Sequence, residues 1–140
     1  MATTGLAVFD RTVQKTNEWL DELITSHEGL DREKAYLALR TLLHTLRDRL
    51  PVEEAVQLGA QLPMLIRGFY FEGWRPSGKP VKERREEFLG HVEEALDGYG
   101  LGRPEDVARS VFGVLAHRIS KGEIEDVRQN LPKEICELFG

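Results

Sequence analysis

Residues 38–71 have the sequence ALRTLLHTLRDRLPVEEAVQLGAQLPMLIRGFYF, and residues 107–140 have the sequence VARSVFGVLAHRISKGEIEDVRQNLPKEICELFG. Aligned without a gap, these two segments are identical at seven positions, against about two expected by chance. At many other positions one apolar residue is paired with another. Both segments also contain Leu-Pro at the same place, at residues 62–63 and 131–132. This repeat alignment, which pairs residue 38 with residue 107, predicts two diverged copies of one structural unit.

The apolar residues of both copies recur at intervals of three and four, which is the period of an amphipathic α-helix. The clearest stripe covers residues 36–50, and Pro51 ends it because proline cannot continue the interior of a helix. An earlier stripe over residues 8–26 consists of Phe9, Val13, Thr16, Leu20, Leu23 and Ile24. No segment alternates apolar and polar residues, so we predict an all-α protein without a sheet.

Each unit is about 70 residues long and is predicted to contain about four helices, two long followed by two short. The first repeat covers residues 1–73 and the second covers residues 81–140. Residues 74–80 form the linker, because proline, glycine and serine are concentrated there. The second repeat opens with another long amphipathic helix that begins near Phe88. Since the apolar faces match, we expect two pseudo-symmetric repeats packed into one compact bundle.

The net charge of −5 comes from 24 acidic and 19 basic residues. Binding to nucleic acids depends on lysine and arginine side chains that neutralise phosphates, so this balance disfavours a nucleic-acid partner. One local exception is residues 75–85, which contain five basic side chains and one acidic side chain. This run is either a solvated connector or a basic patch that binds nucleic acid.

A chain of 140 residues can bury a core without disulfides, and the single cysteine, Cys136, cannot form one internally. Residues 1–5 lack the basic and apolar segments of a secretion signal. No run of eighteen apolar residues is present, so we expect no membrane span. Together these features predict a cytoplasmic protein.

No set of residues predicts catalysis or metal binding. The four histidines lie outside Glu-x-x-His pairs and are not shared by the two copies, so we expect them on polar helix faces. Cys136 has no base or orienting residue near it in the sequence, and the segments 77–79 and 98–102 lack the strand that precedes phosphate-binding loops. Acidic pairs such as Glu123 and Glu125 are expected on solvated faces. We therefore predict no catalytic, cofactor-binding or metal-binding residues and no enzymatic activity.

Residues 69–74, FYFEGW, contain four of the eleven aromatic residues of the chain. Phe69 and Tyr70 are paired with apolar residues of the second copy, so we expect them in the core. Phe71 and Trp74 have no apolar counterpart there. These two residues either join the repeats or form an exposed patch for a partner.

Arg40 and Arg109 occupy equivalent positions in the two copies. Each arginine either forms a salt bridge or caps a helix within its own unit, or both contact a shared ligand. With Phe71 and Trp74, these arginines are the candidate interaction residues of the chain.

Five segments carry a resemblance to a known family: VQKTNEWL at residues 13–20, LPVEEA at 50–55, AQLP at 60–63, RGFYFEGW at 67–74 and GEIEDV at 122–127. They resemble the bacterial family called domain of unknown function 2267, and the resemblance covers nearly the whole chain. It implies a bacterial, cytoplasmic, helical protein. It supplies no activity, cofactor or catalytic residue.

Three functional hypotheses follow from the sequence. The first is a non-enzymatic scaffold or protein-interaction module whose partner is another protein or a second copy of the chain. The second is a small-molecule binder or enzyme that uses a groove between the repeats. The third is a nucleic-acid-associated protein, in which consecutive short helices resemble a helix-turn-helix.

Overall fold

The computed structural model describes residues 4–140, and 71% of these residues are helical. No β-strand occurs within that range, which confirms the prediction of an all-α fold. We expected no secretion signal in residues 1–5, and residues 1–3 of this segment lie outside the described residues.

Eight α-helices follow one another along residues 4–140. The first four are α1 (Ala7–Ser26), α2 (Arg32–Arg49), α3 (Val52–Ala60) and α4 (Met64–Phe71). The other four are α5 (Arg85–Ala95), α6 (Pro104–Arg118), α7 (Lys121–Gln129) and α8 (Lys133–Cys136). A 3-10 turn, Glu137–Phe139, continues α8.

The helices begin where the sequence supplies residues that favour a helix start. The Asp31 carboxylate accepts a hydrogen bond from the Lys34 N–H at 2.8 Å and caps α2. The Ser120 hydroxyl accepts a hydrogen bond from the Glu123 N–H at 3.2 Å and caps α7 in the same way. A proline stands immediately before each of α3, α4 and α8, where its missing N–H is not needed.

The helix bounds follow the repeat alignment. Helices α3 and α7 begin and end at equivalent residues, and α8 with its 3-10 turn stands at the position of α4. Leu46 of α2 and its counterpart Leu115 of α6 are both fully buried. The bounds of α3 and α7 and the burial of these two leucines thus match at the aligned positions.

One hydrophobic core extends through both units. Helices α2 and α6 pack against each other, α3 packs against α7, and α1 packs against α6. Two polar side chains of α1 and its C-terminal cap also bind the second unit. Glu22 accepts a hydrogen bond from Arg118 Nε at 2.7 Å, and His27 Nε2 donates to the Leu101 carbonyl at 2.8 Å.

The connection between the units is longer than predicted, and the helix that follows it is shorter. The connection covers residues 72–84, and its backbone is held against the end of α2, where the Val81 N–H donates to the Asp48 carbonyl at 2.8 Å. The Glu87 carboxylate accepts a hydrogen bond from the Arg84 N–H at 3.0 Å and fixes the start of α5 there. Helix α5 therefore has only 11 residues, compared with 20 in α1.

Candidate functional site

An open apolar groove lies between the N-terminal half of α1, helix α4 and one side chain of α2. Its volume is 640 Å³. Most of the residues that line it are apolar and lie at helical spacing: Phe9, Thr12, Val13 and Thr16 from α1, Met64, Leu65, Gly68 and Phe69 from α4, Tyr36 from α2, and Thr4 and Glu72 at the rim.

Polar contacts hold the two walls of the groove in place. The Thr12 hydroxyl accepts a hydrogen bond from the Leu65 N–H at 2.8 Å, and so satisfies one of the first-turn N–H groups that a helix leaves unpaired. The Thr4 N–H donates to the Asp10 carboxylate at 2.7 Å, which folds the preceding segment against the first turn of α1. The groove is therefore a built feature in which helix α1 is fastened to α4.

Large apolar side chains are exposed along both walls of the groove. Phe9 is 45% exposed, Met64 is 49% exposed and Leu65 is 44% exposed. The ring of Tyr36 meets the ring of Phe69 edge to face at 5.3 Å between centroids. Exposed apolar residues that adjoin one another in this way are typical of binding surfaces.

The corresponding surface of the second unit is charged. In the register of the repeat alignment, Met64 corresponds to Lys133, Leu65 to Glu134, Gly68 to Glu137 and Tyr36 to Glu105. Arg85 covers part of this surface, because it pairs with Glu105 at 3.0 Å and donates to the Glu134 carbonyl at 3.0 Å. The fold is thus compatible with a charged surface at this position, and the apolar groove is particular to the first unit.

One sequence-based expectation needs correction at the groove. The apolar stripe of α1 is buried only in part, because Thr16, Leu20 and Leu23 are buried while Phe9 is exposed. Phe69, expected in the core, is only half-buried because one side of its ring lines the groove. Tyr70 is fully buried as predicted, and its hydroxyl donates to the Ala55 carbonyl at 2.6 Å.

Phe71 and Trp74 pack against the core, and neither forms part of the groove. Their ring centroids are 5.4 Å apart, and both side chains are half-buried. The Phe71 ring fills the space beside Gly59, where an added Cβ would come within 2.5 Å of it. The pair therefore closes the end of the first unit at the start of the connection.

The second unit fills the corresponding space in the opposite way. The counterpart of Gly59 is Arg128, and the counterpart of Phe71 is Gly140. The Arg128 guanidinium lies 5.8 Å from the centroid of the Phe139 ring. At these two aligned positions, the order of the large and the small residue is therefore reversed.

Arg40 and Arg109 each bind within their own unit. Arg40 forms a salt bridge with Glu72 at 2.9 Å, beside one end of the groove. Arg109 pairs with Glu105 at 3.2 Å and donates to the Glu137 carbonyl at 3.1 Å. The two arginines are not brought together on a shared ligand surface.

Arg47 is a buried cation that the sequence analysis did not identify. Its guanidinium donates to the Tyr70 carbonyl at 2.7 Å and to the Glu72 carbonyl at 3.1 Å. It also pairs with Asp48 at 2.9 Å. Arg47 thus satisfies the last carbonyl groups of α4 and sets the path of the chain into the connection. The only sequence signal is that its counterpart in the second copy, Ala116, is apolar.

A second, smaller cavity of 140 Å³ lies between α2, the connection and α5, and His44, Glu83 and His91 are among its lining residues. The expectation that histidines lie on polar faces is wrong for His44, which is half-buried and donates to the Phe69 carbonyl at 2.6 Å. Burial lowers the pKa of His44 and raises the pKa of the Glu83 carboxyl group. Glu83 Oε2 lies 2.8 Å from His91 Nε2. Ligand pockets have volumes of roughly 300–1,000 Å³, so this cavity is too small to serve as one.

The described part of the chain provides no site for metal binding, and it gives no support to catalysis by Cys136 or to a continuous basic patch. Over residues 4–140, no group of three His, Cys, Asp or Glu side chains is arranged to hold a metal ion. Cys136 is half-buried. The basic run at residues 75–85 is interrupted, because Glu83 is buried within it and Arg85 is paired with Glu105.

The helices and the groove define the class of protein to which this chain belongs: an all-helical protein with an exposed apolar groove formed by helices α1, α2 and α4. None of the helices described is both long enough and apolar enough to cross a bilayer. The chain belongs to the family described as "Uncharacterized conserved protein (DUF2267)", whose family model matches residues 16–138. The family resemblance noted in the sequence is thus confirmed. No curated protein matches the chain significantly.

Proposed function

We propose that the protein is a non-enzymatic interaction module whose groove binds an amphipathic helix of a partner protein. The observation that carries this proposal is the exposed apolar surface of Phe9, Met64 and Leu65. In α8, the counterpart of α4, the positions of Met64 and Leu65 are occupied by the charged residues Lys133 and Glu134. Apolar surface in contact with water is unfavourable, and the fold does not need it at this position. A ligand that covers the groove would remove that cost.

A helix is the occupant that suits the groove best. The two walls are themselves helices, and their apolar side chains project into the space between them. Grooves of this kind bind the apolar face of an amphipathic helix, whose anchors lie at positions i, i+3 or i+4, and i+7. The Arg40–Glu72 salt bridge beside one end favours an occupant that is polar at that end.

The groove offers little for chemistry. Among the described residues that line it, Glu72 is the only charged one, and it is already paired with Arg40. The Thr12 hydroxyl is bound to the Leu65 N–H, and the Thr16 hydroxyl donates to the Thr12 carbonyl at 2.8 Å. Because the one carboxylate is paired and no His, Lys or Cys is among these lining residues, binding is better supported than catalysis.

A small apolar molecule is the second candidate occupant, because 640 Å³ lies within the range of ligand pockets. Such pockets enclose most of the ligand, whereas the exposed walls of this groove leave one side open. The groove also lies within the first unit and not between the repeats, where the sequence-based hypothesis placed it.

We also propose that the chain consists of two pseudo-symmetric repeats and that the protein is bacterial and cytoplasmic. Matching helix bounds and buried leucines support two pseudo-symmetric repeats, of which only the first keeps a binding groove. The single cysteine supports a reducing compartment such as the cytoplasm, and the resemblance noted in the sequence implies a bacterial protein. We also propose that the protein has no enzymatic activity.

The decisive variant exchanges residues of the groove for those of the second unit. Met64→Lys combined with Leu65→Glu installs the residues that stand at 133 and 134, which a helix of this kind already accommodates. A photo-crosslinking amino acid at Phe9 then reports on the occupant of the groove in the native host. We expect the crosslinked partner to be lost in the double variant, with an affinity at least about 100-fold weaker, because two apolar anchors are replaced by charges.

Val56→Glu is the matched control. Val56 is 47% exposed, lies on α3 outside the groove, and has an acidic counterpart, Glu125. This variant should keep the crosslink. The crosslinked peptide of the partner should contain apolar residues at helical spacing. A crosslink that the groove variant leaves unchanged, or one that joins two copies of this chain, would overturn the proposal. Co-purification of a small apolar molecule, detected by native mass spectrometry and lost in the groove variant, would favour the second candidate instead.

A further inference from the structure

Two buried glutamates face each other where the first unit meets the second. Glu54 lies on α3 and Glu123 lies on α7, and these helices pack against each other. The two residues are paired in the repeat alignment, and each is only 8% exposed. The expectation that Glu123 lies on a solvated face is therefore wrong, because the contact between α3 and α7 covers it.

Neither carboxyl group has its hydrogen bonds satisfied by the rest of the protein. Asn130 Nδ2 donates to Glu54 Oε1 at 3.3 Å. Glu54 Oε2 and Glu123 Oε2 are both buried without a protein donor. The two carboxyl groups act on each other across the packing of α3 on α7. An ionised carboxyl group can only accept hydrogen bonds, so two ionised groups in contact would leave these oxygens unsatisfied and would repel each other.

The charged groups around the pair do not compensate for this repulsion. Besides Glu54, the charged group that acts on Glu123 is Asp126 of α7, which is also acidic. From α4, the buried titratable group is Tyr70, whose hydroxyl is bound to the Ala55 carbonyl. Two guanidinium groups of the first unit are engaged elsewhere, Arg47 from α2 with a carbonyl group in the last turn of α4 and Arg67 from α4 with the Gly59 carbonyl.

We propose that Glu54 and Glu123 form a single proton-binding site that joins α3 to α7. One shared proton turns the contact into an O–H···O⁻ hydrogen bond, which is shorter and stronger than a bond between neutral groups. The site then carries one negative charge instead of two. Loss of the proton leaves two carboxylates in contact and weakens the packing of the first unit on the second. This inference does not depend on the groove, with which the pair shares no residue.

The acidity of the pair supports this arrangement. Burial, followed by the contact with Glu54, raises the pKa of Glu123 from its ordinary value of 4.5 to about 8. A carboxyl group with a raised pKa holds its proton more tightly in the folded chain than in the unfolded chain. The stabilisation by the proton is therefore complete below pH 4.5 and is lost as the pH rises through about 8.

The test compares urea unfolding midpoints between about pH 6 and about pH 9 for the unmodified protein and two variants. Glu54→Gln places a permanent donor beside Glu123, so we expect its midpoint to stay level where the midpoint of the unmodified protein falls. Glu53→Gln removes the same charge from the exposed neighbour on α3 and should keep the fall. Each protein keeps all four histidines, so their contribution to the pH dependence of the midpoint is the same in each and cancels when the variants are compared.

A level midpoint for the unmodified protein, or an equal fall in both variants, would overturn the proposal. If Glu54→Gln does not fold, carbon-13 NMR of glutamate carboxyl groups in the unmodified protein decides. One glutamate that titrates above about pH 7 supports the shared proton, and titration of every glutamate below that pH contradicts it.

Discussion

Gly59 lies inside α3, where helix propensity alone favours alanine by about 0.5–1 kcal/mol. The surroundings of this residue reverse that preference. A Cβ at position 59 would lie 2.5 Å from Phe71 Cζ and 3.0 Å from Tyr70 Cε2. Tyr70 is fully buried and tied to the Ala55 carbonyl, so it cannot move aside. Phe71 can move only by leaving its contact with Trp74.

Extra atoms forced into a packed site cost about 1–3 kcal/mol. After the gain in propensity is subtracted, we expect Gly59→Ala to lower the free energy of unfolding by up to about 2.5 kcal/mol. Urea unfolding followed by far-ultraviolet circular dichroism measures this difference directly. The double variant with Phe71→Ala should show a coupling between the two sites, because the closest contacts, those with the Phe71 ring, are absent once the ring is removed.

Gly113→Ala is the control for this experiment. Gly113 lies in α6, and an added Cβ there meets nothing within 4 Å. That variant should be more stable by about 0.4–1 kcal/mol, as helix propensity predicts. If Gly59→Ala is stabilised by the same amount, the ring of Phe71 does not occupy the space beside residue 59, and the reasoning is wrong.

Two further predictions concern the end of the first unit. Trp74→Ala should cost about 1.5–3 kcal/mol, less than for a fully buried ring, without changing the sedimentation coefficient; a lost oligomer with an unchanged unfolding midpoint would instead identify Trp74 as an interface anchor. Arg47→Met should cost about 2–4 kcal/mol in urea unfolding because it leaves two carbonyl groups unpaired, and Arg32→Met, which breaks an exposed pair with Asp21, should cost less than about 0.5 kcal/mol; similar losses in both variants would contradict the capping role.

The helices were predictable because their ends are determined locally. A proline before α3, α4 and α8 and a capping carboxylate at Asp31 act within one turn of the chain. The connection was harder to predict, because its length depends on hydrogen bonds to the distant end of α2, such as that from Val81 to Asp48. Contacts between residues so far apart in the sequence leave no periodic signal.

The groove was not predictable from the apolar stripes alone. An apolar stripe shows which face of a helix avoids water, but it does not show whether another helix covers the whole of that face. Phe9 and Tyr36 continue stripes that are otherwise buried. The signal that was available is the comparison between the copies, in which Met64 and Leu65 stand opposite Lys133 and Glu134.

The burial of the glutamate pair was hard to predict for a different reason. The identity of Glu54 and Glu123 was visible in the alignment, but acidic residues on amphipathic helices usually lie in water. Their burial follows from the packing of α3 on α7, which brings two equivalent surfaces together. A charged residue that recurs in both copies can therefore mark the interface between them.

Helix α1 belongs to two environments at once. Its 20 residues form a rod about 30 Å long, with Phe9 in the wall of the groove at one end. Toward the other end, Glu22 holds Arg118, and His27, just beyond the helix, bonds to Leu101, both across the boundary to the second unit. An α-helix of this length bends little, so a displacement of its first turns acts as a lever on those distant bonds. An occupant that displaces the first turns of α1 would therefore strain the hydrogen bonds that Glu22 and His27 make to the second unit.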